Sequence, residues 1–195
     1  MSTDAATTTP LTPRRPKRAD ARRNYDALIA AAREAFTQDD ADASLEDIAR
    51  RAGVGIGTLY RHFPTRKDLL AAVYEEEVQA ICSSADDFTG LPPWEALVGW
   101  LRRFTEYAVT KHALMAALMS YVDRDDPVFR SCRVAINTTG EALLAQAKAS
   151  GDVRPDAEFT DVGRMVAGIA TIRGADAAQI DRILELALDG LRYRA

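Results

Sequence analysis

Cysteine is scarce: Cys82 and Cys132 are the only two in 195 residues, fifty positions apart. That excludes a disulfide scaffold and any CxxC metal knuckle. Histidine is as scarce, with His62 and His112 alone. Catalysis wants a base beside a nucleophile, or clustered metal ligands, and neither spacing occurs. Ser83, Ser84 and Ser131 sit in no nucleophile-elbow context. The chain is therefore expected not to be an enzyme and to need no cofactor or metal. No apolar run approaches the roughly 18 residues of a membrane span. The first twenty residues hold no apolar signal segment. A cytoplasmic protein with no membrane partner is the expectation. Alternating strand patterns and 20–50-residue repeats are also missing. What is abundant is hydrophobic residues, 47% of the chain. At roughly 100–200 residues per domain that makes one or two domains. Folding should bury about 70% of the unfolded surface, enough without staples.

The net charge of −4 argues against blanket nucleic-acid binding, but it is an average. Residues 1–70 carry +2 and residues 71–195 carry −6. Arg14, Arg15, Lys17, Arg18, Arg22 and Arg23 fall within ten positions, opposed there only by Asp20. Such a run is a solvated tail unless a DNA-binding module follows it.

Residues 1–18 read as a disordered basic tail, with Pro10, Pro13 and Pro16 blocking a helix. From Asp20 the pattern turns helical. Tyr25, Leu28, Ile29, Ala32 and Phe36 share one face of a helix that stops near Gln38. Ser44 offers an N-cap with Asp47 three residues on, before the stripe Leu45, Ile48, Ala49, Ala52. Gly53 ends that helix as a C′ residue would. A very short helix fits 56–62. Thr65 caps a fourth, with Asp68 at N3 and a stripe through Leu69, Ala72, Val73 and Ile81. Pro92-Pro93 opens a fifth helix, and a shorter one fits 112–121. Asp126-Pro127, an N-cap followed by Pro at N1, opens one running toward Gly151. Two more fit 157–172 and 177–193. The expectation is an all-α fold of about nine helices.

The most informative stretch is 45–70, LEDIARRAGVGIGTLYRHFPTRKDLL. Two short amphipathic helices joined by a Gly-containing turn are helix-turn-helix chemistry. Ile48, Ala49, Val54, Leu59 and Phe63 would hold the pair together. The second helix is short enough to enter a major groove about 12 Å wide. Asp47-Ile48-Ala49, Ala52-Gly53-Val54, Gly57-Thr58-Leu59-Tyr60, His62-Phe63 and Leu69-Leu70 resemble the tetracycline-repressor (TetR) family of transcriptional regulators. Ala31-Ala32 and Phe36 fit that family's first helix. The resemblance spans residues 25–70 and is specific there; the remainder matches in helix number and length only.

The resemblance implies three domains: the tail at 1–18, a helix-turn-helix domain at 19–66, and a ligand-binding and dimerisation domain at 67–195. It places Thr58, Tyr60 and His62 on the DNA-facing helix, with the Tyr60 hydroxyl and His62 ring toward phosphates. Arg61 is free for a base edge or a phosphate, Arg to guanine being the commonest specific contact. Ser44 can face a phosphate as it caps, and Arg66 stands where the family usually has a phosphate-binding Lys. Lys67 takes a position more often acidic. Gly55 departs from the family's Ser or Thr and supplies no hydroxyl, while Gly57 belongs to the matching motif. Ile56 has two roles open to it: a thymine methyl contact, or packing against the preceding helix. Arg22 and Arg23 stand where an arm can reach the minor groove; plain solvation is the other role for residues 14–18.

A single small head implies a dimer on a pseudo-palindromic double-stranded operator. Gly163, Ala167, Gly168 and Thr171 are small enough for close helix crossing. Ile180, Ile183, Leu184, Ala187, Leu188 and Leu191 follow at helical spacing. Periodicity fits an intersubunit bundle and a subunit's own core equally; the family implies the bundle. The middle helices are dense in adaptable side chains, among them Trp100, Phe104, Met115, Leu118, Met119 and Phe129. Tyr107, His112, Tyr121 and Asn137 can add polar contacts. Core packing or a small-molecule pocket fits them. By family analogy a small apolar or amphipathic effector binds there and releases a repressor, acting through the helix at 65–83. The alternative is a redox- or metal-responsive regulator sensing through Cys82, Cys132 and His112.

Overall fold

The computed structural model describes residues 15–37 and 43–192, apart from the Thr37 and Ala113 side chains. Residues 1–14 of the tail, Arg14 among them, and residues 38–42 and 193–195 lie outside it. The described residues form nine α-helices and no strand: α1 Ala19–Thr37, α2 Leu45–Arg51, α3 Ile56–His62, α4 Arg66–Ser83, α5 Pro93–Thr110, α6 His112–Met119, α7 Pro127–Ala149, α8 Phe159–Ala170 and α9 Ala177–Asp189. A 3₁₀ segment at Ser84–Phe88, without a signal in the sequence, follows α4 directly.

The helix ends follow local chemistry. The Thr65 backbone N–H donates to the Asp68 carboxylate at 2.9 Å, and the Asp68 N–H donates to the Thr65 hydroxyl at 3.2 Å. This reciprocal box satisfies two amide donors that the helix itself leaves unpaired. The Asp126 carboxylate accepts from Val128 N at 3.0 Å, with Pro127 at N1 needing no donor. Asp176 caps α9 by accepting from Gln179 N at 2.7 Å. α9 stops at Asp189 and α8 covers 159–170, both shorter than their apolar stripes suggest. An isolated antiparallel bridge joins Val153 to Arg192 beyond those ends.

The chain divides into two compact units. The first combines the described part of residues 1–75 with Ala113–Val128; the second holds Glu76–His112 and the described residues from Phe129 on. In the first unit α1 packs on α2 and α3. Tyr25, Leu28, Ala32, Phe36, Ile48, Leu59 and Phe63 are buried there. In the second, α5 packs on α8 and α9 around a core of Trp100, Leu97, Leu101, Leu144, Phe159, Val166 and Leu184. Gly140 is required at the α7–α8 approach: a Cβ there would fall about 2.0 Å from the Phe159 ring.

Candidate nucleic-acid interface

The first unit builds its reading head from short-range contacts. The Ser44 hydroxyl accepts from Asp47 N at 3.1 Å and donates to the Asp47 carboxylate at 2.9 Å. That bond, followed by the nearby Arg50 guanidinium, holds the Asp47 carboxyl below its usual value of 3.8. α2 buries Ile48 and Ala49, and Val54 is half-buried. The turn needs Gly53, whose φ of +68° lies in the left-handed region that side chains disfavour. Gly55 is the N-cap of α3 and makes no side-chain bond, as its missing hydroxyl requires.

α3 is held inward by Leu59, the single fully enclosed side chain of its seven residues. Its burial is worth about 2 kcal/mol. The opposite face is open. Gly55, Ile56, Gly57, Tyr60 and Arg61 are exposed, Tyr60 to 46%. Ile56, Gly57, Tyr60 and Arg61 recur at the spacing of one helical face. Ile56 thus points away from the core, and of its two candidate roles the outward one fits the packing. Thr58 is half-buried.

His62 stands apart from that face. Its ring meets Tyr25 edge-on at 6.1 Å and lies 6.2 Å from Phe63, which itself packs on Tyr25 at 5.1 Å. Burial, with a smaller push from Arg61, lowers its pKa below 6.5. At neutral pH the ring is therefore an uncharged hydrogen-bonding group, not a cation.

The basic residues expected at DNA have uneven freedom. Arg22 and Arg23 are exposed on the first turns of α1, where Arg23 pairs with Asp20. Arg15 is clamped to Asp26 by two bonds of 2.9 and 2.7 Å. Arg66 is half-buried: its guanidinium donates to the Ala43 carbonyl and sits 5.3 Å from the Phe36 ring centroid. It therefore ties the start of α4 to the segment before α2. Lys67 lies 3.6 Å from Asp126, the cap of α7. Neither is a simple solvent-facing cation.

The residues expected at an effector site separate. Met115 and Tyr121 are exposed, Met119 is half-buried and Leu118 is fully buried, all in the first unit. In the second unit, Trp100 is fully enclosed and its indole N–H donates to the Ile81 carbonyl at 3.0 Å. It stacks on Phe104 at 5.6 Å, and Phe104 stacks on Tyr107 at 6.2 Å. Phe129 is buried, His112 exposed. Phe104 and Asn137 line one groove. Missed from the sequence were the arginines beside them, Arg130, Arg133 and Arg164. The spacing of Arg130, Arg133 and Asn137 on one helix face was an available signal.

The residues expected at a dimer contact also divide. Leu184, Leu188 and Leu191 are buried in the second unit's own core. Their stripe faces α5 and α8, which take it up. Ile180, Ile183 and Ala187 are partly buried against that core. Gly163 and Ala167 line the Phe104 groove. Gly168 and Thr171 are exposed, with no heavy atom within 4 Å of a Cβ at Gly168.

An all-α chain with a capped α2, a glycine turn and an α3 that shows one polar-aromatic face outward has the build of a helix-turn-helix DNA-binding transcriptional regulator. Sequence comparison agrees. Residues 28–73 match the family described as bacterial regulatory proteins, tetR family. Residues 92–193, more than half of the chain, match the transcriptional regulator SbtR-like C-terminal domain. A solved TetR transcriptional regulator, SCO0520 from Streptomyces coelicolor, is 43% identical with a TM-score of 0.74, over 88% of this chain and 99% of that one. A TetR transcription regulatory protein from Mycobacterium vanbaalenii is 32% identical with a TM-score of 0.74, over 91% and 100%. The HTH-type transcriptional regulator SAR0097 of Staphylococcus aureus (strain MRSA252) is 33% identical over 75 residues, 37% of this chain. The chain spans 39% and 44% of the length of the curated relatives it matches. The chain belongs to the TetR family of transcriptional regulators.

Proposed function

We propose that the protein is a homodimeric repressor that binds a pseudo-palindromic operator and is released by a small apolar or amphipathic effector. The observation that carries it is α3: one buried anchor, Leu59, and an outward face of Ile56, Gly57, Tyr60 and Arg61. On that face Arg61 reads a base edge, Tyr60 meets a phosphate, and Ile56 meets a thymine methyl. Neutral His62 serves the head by packing on Tyr25. Arg22 is exposed to the DNA backbone, and Arg23 can reach it by giving up its solvent-exposed pair with Asp20. We assign the chain no catalytic role.

Dimerisation is supported by the outer faces of α8 and α9. Gly168 and Thr171 are small and exposed, and Leu186 is 75% exposed. An isologous contact there would set two heads on half-sites about 34–36 Å apart or a multiple of that. Release follows if the effector binds more tightly to conformers with misplaced heads, and only by that difference. α4 contributes residues to both compact units, which suits it to carry the change.

Thiol sensing finds less support. Burial pushes the Cys82 thiol up, against a smaller opposing bond from Thr139, and Cys132 is buried. A redox sensor needs an accessible thiolate. Among the described residues, no group of three or more His, Cys, Asp or Glu is placed to hold a metal.

The test is selection of bound genomic fragments in vitro, paired with Gly168→Glu. Open space around Gly168 means the subunit tolerates the side chain. Selection should return a palindrome. The variant should stay helical, sediment as a monomer and lose operator binding. A non-palindromic site, or a dimer that survives the substitution, would overturn the homodimeric reading.

A further inference from the structure

The geometry points to an organic-anion site in the groove between α5, α7 and α8 of the second unit. The groove holds about 500 Å³, within the usual range for small-molecule sites. Its apolar lining includes Phe104 from α5 and Ile136 from α7. Three guanidiniums line it, Arg130 and Arg133 from α7 and Arg164 from α8, beside the Asn137 amide. No lining residue is acidic. Residues 71–195 carry −6 overall, so this concentration of positive charge reverses its surroundings. The Asp161 carboxylate lies 4.0 Å from Arg164 with both side chains mostly exposed, a weak competitor for the arginine.

Charge and shape together select the ligand class. An apolar body lies on Phe104 and Ile136, while a carboxylate or phosphate meets the arginines, whose planar forks suit either oxyanion. This site gives the proposed effector a chemical class; its binding does not depend on operator release.

The groove has its own reporter. Phe104 lines it and stacks on Trp100 with the rings 9° apart. A ligand on Phe104 should change Trp100 emission, and Trp94→Phe removes the other tryptophan. We would titrate the full chain with decanoate, decyl phosphate, 1-decanol and decylammonium, all below their aggregation limits. One or both anions should bind at least tenfold more tightly than decanol, and decylammonium more weakly than decanol. The two anion arms separate carboxylate from phosphate preference. Arg130→Gln/Arg133→Gln/Arg164→Gln alters only exposed side chains. It should weaken the anions about tenfold, as a few partly exposed charge-assisted contacts allow. Decanol should change less than twofold. Equal affinity for anion and alcohol, or an anion preference that survives the triple variant, would overturn the site. Operator affinity is followed separately by anisotropy: anion binding without release keeps the site and removes the release mechanism.

Discussion

A buried ion pair offers the sharpest test of what holds the second unit together. Lys111 ends α5, and its ammonium meets the Glu77 carboxylate on α4. The two residues are 9% and 8% exposed. Lys111→Met keeps the apolar stem and deletes the charge. Breaking a buried pair from one side costs about 3–5 kcal/mol, because the buried charge left behind loses its oppositely charged neighbour. Residual exposure at both ends places the cost near 3 kcal/mol. For a chain of this length each kcal/mol moves Tm by about 2–4 °C, so a drop of about 6–12 °C is expected. Replacing both residues with methionine removes the buried charge altogether, and such replacements are often neutral or stabilising. The double variant should therefore recover most of the loss. Thermal and denaturant unfolding at fixed protein concentration would close the double-mutant cycle. Single variants costing under about 1 kcal/mol, or a double variant showing the sum of both losses, would refute a coupled buried pair.

His62 should titrate below 6.5 in an NMR pH series, since burial disfavours its charged form. Its contribution to stability is present above that value and lost as pH falls through the lowered one; titration at or above 6.5 would contradict the packing on Tyr25. Ser44→Ala should cost the head about 1 kcal/mol through loss of the α2 cap. The part that acts through the Asp47 carboxyl is present above 3.8 and lost as pH falls through its lowered value, so the gap from wild type should narrow in acid. Deleting residues 1–18 should weaken binding to all DNA sequences and flatten its salt dependence by about 0.9 for each phosphate the tail neutralises. An unchanged slope would mean the tail neutralises none.

Much of the head is legible in the sequence because its determinants are short-range. The Ser44–Asp47 and Thr65–Asp68 boxes span three residues, and the Gly53 turn needs one backbone conformation. The α2 and α3 bounds follow from those signals almost to the residue. Helices defined only by an apolar stripe read too long, as at α8 and α9, because a stripe continues past the last helical hydrogen bond. The 3₁₀ segment after α4 carries no periodicity of its own, so nothing in the sequence marks it.

From the sequence alone came the all-α class, the capped helix starts and the helix-turn-helix, since each is encoded within a few neighbouring positions. Periodicity also assigned α9 an apolar face, but a face does not say what covers it. Only packing showed that Leu184, Leu188 and Leu191 go to the subunit's own core while Leu186 stays open. Packing alone paired Glu77 with Lys111 and tied Arg66 to the Ala43 carbonyl, 23 positions away. It also brought Arg164 of α8 to the same groove as Arg130 and Arg133 of α7. Such contacts depend on how helices cross, which is set by the whole core and by no local signal.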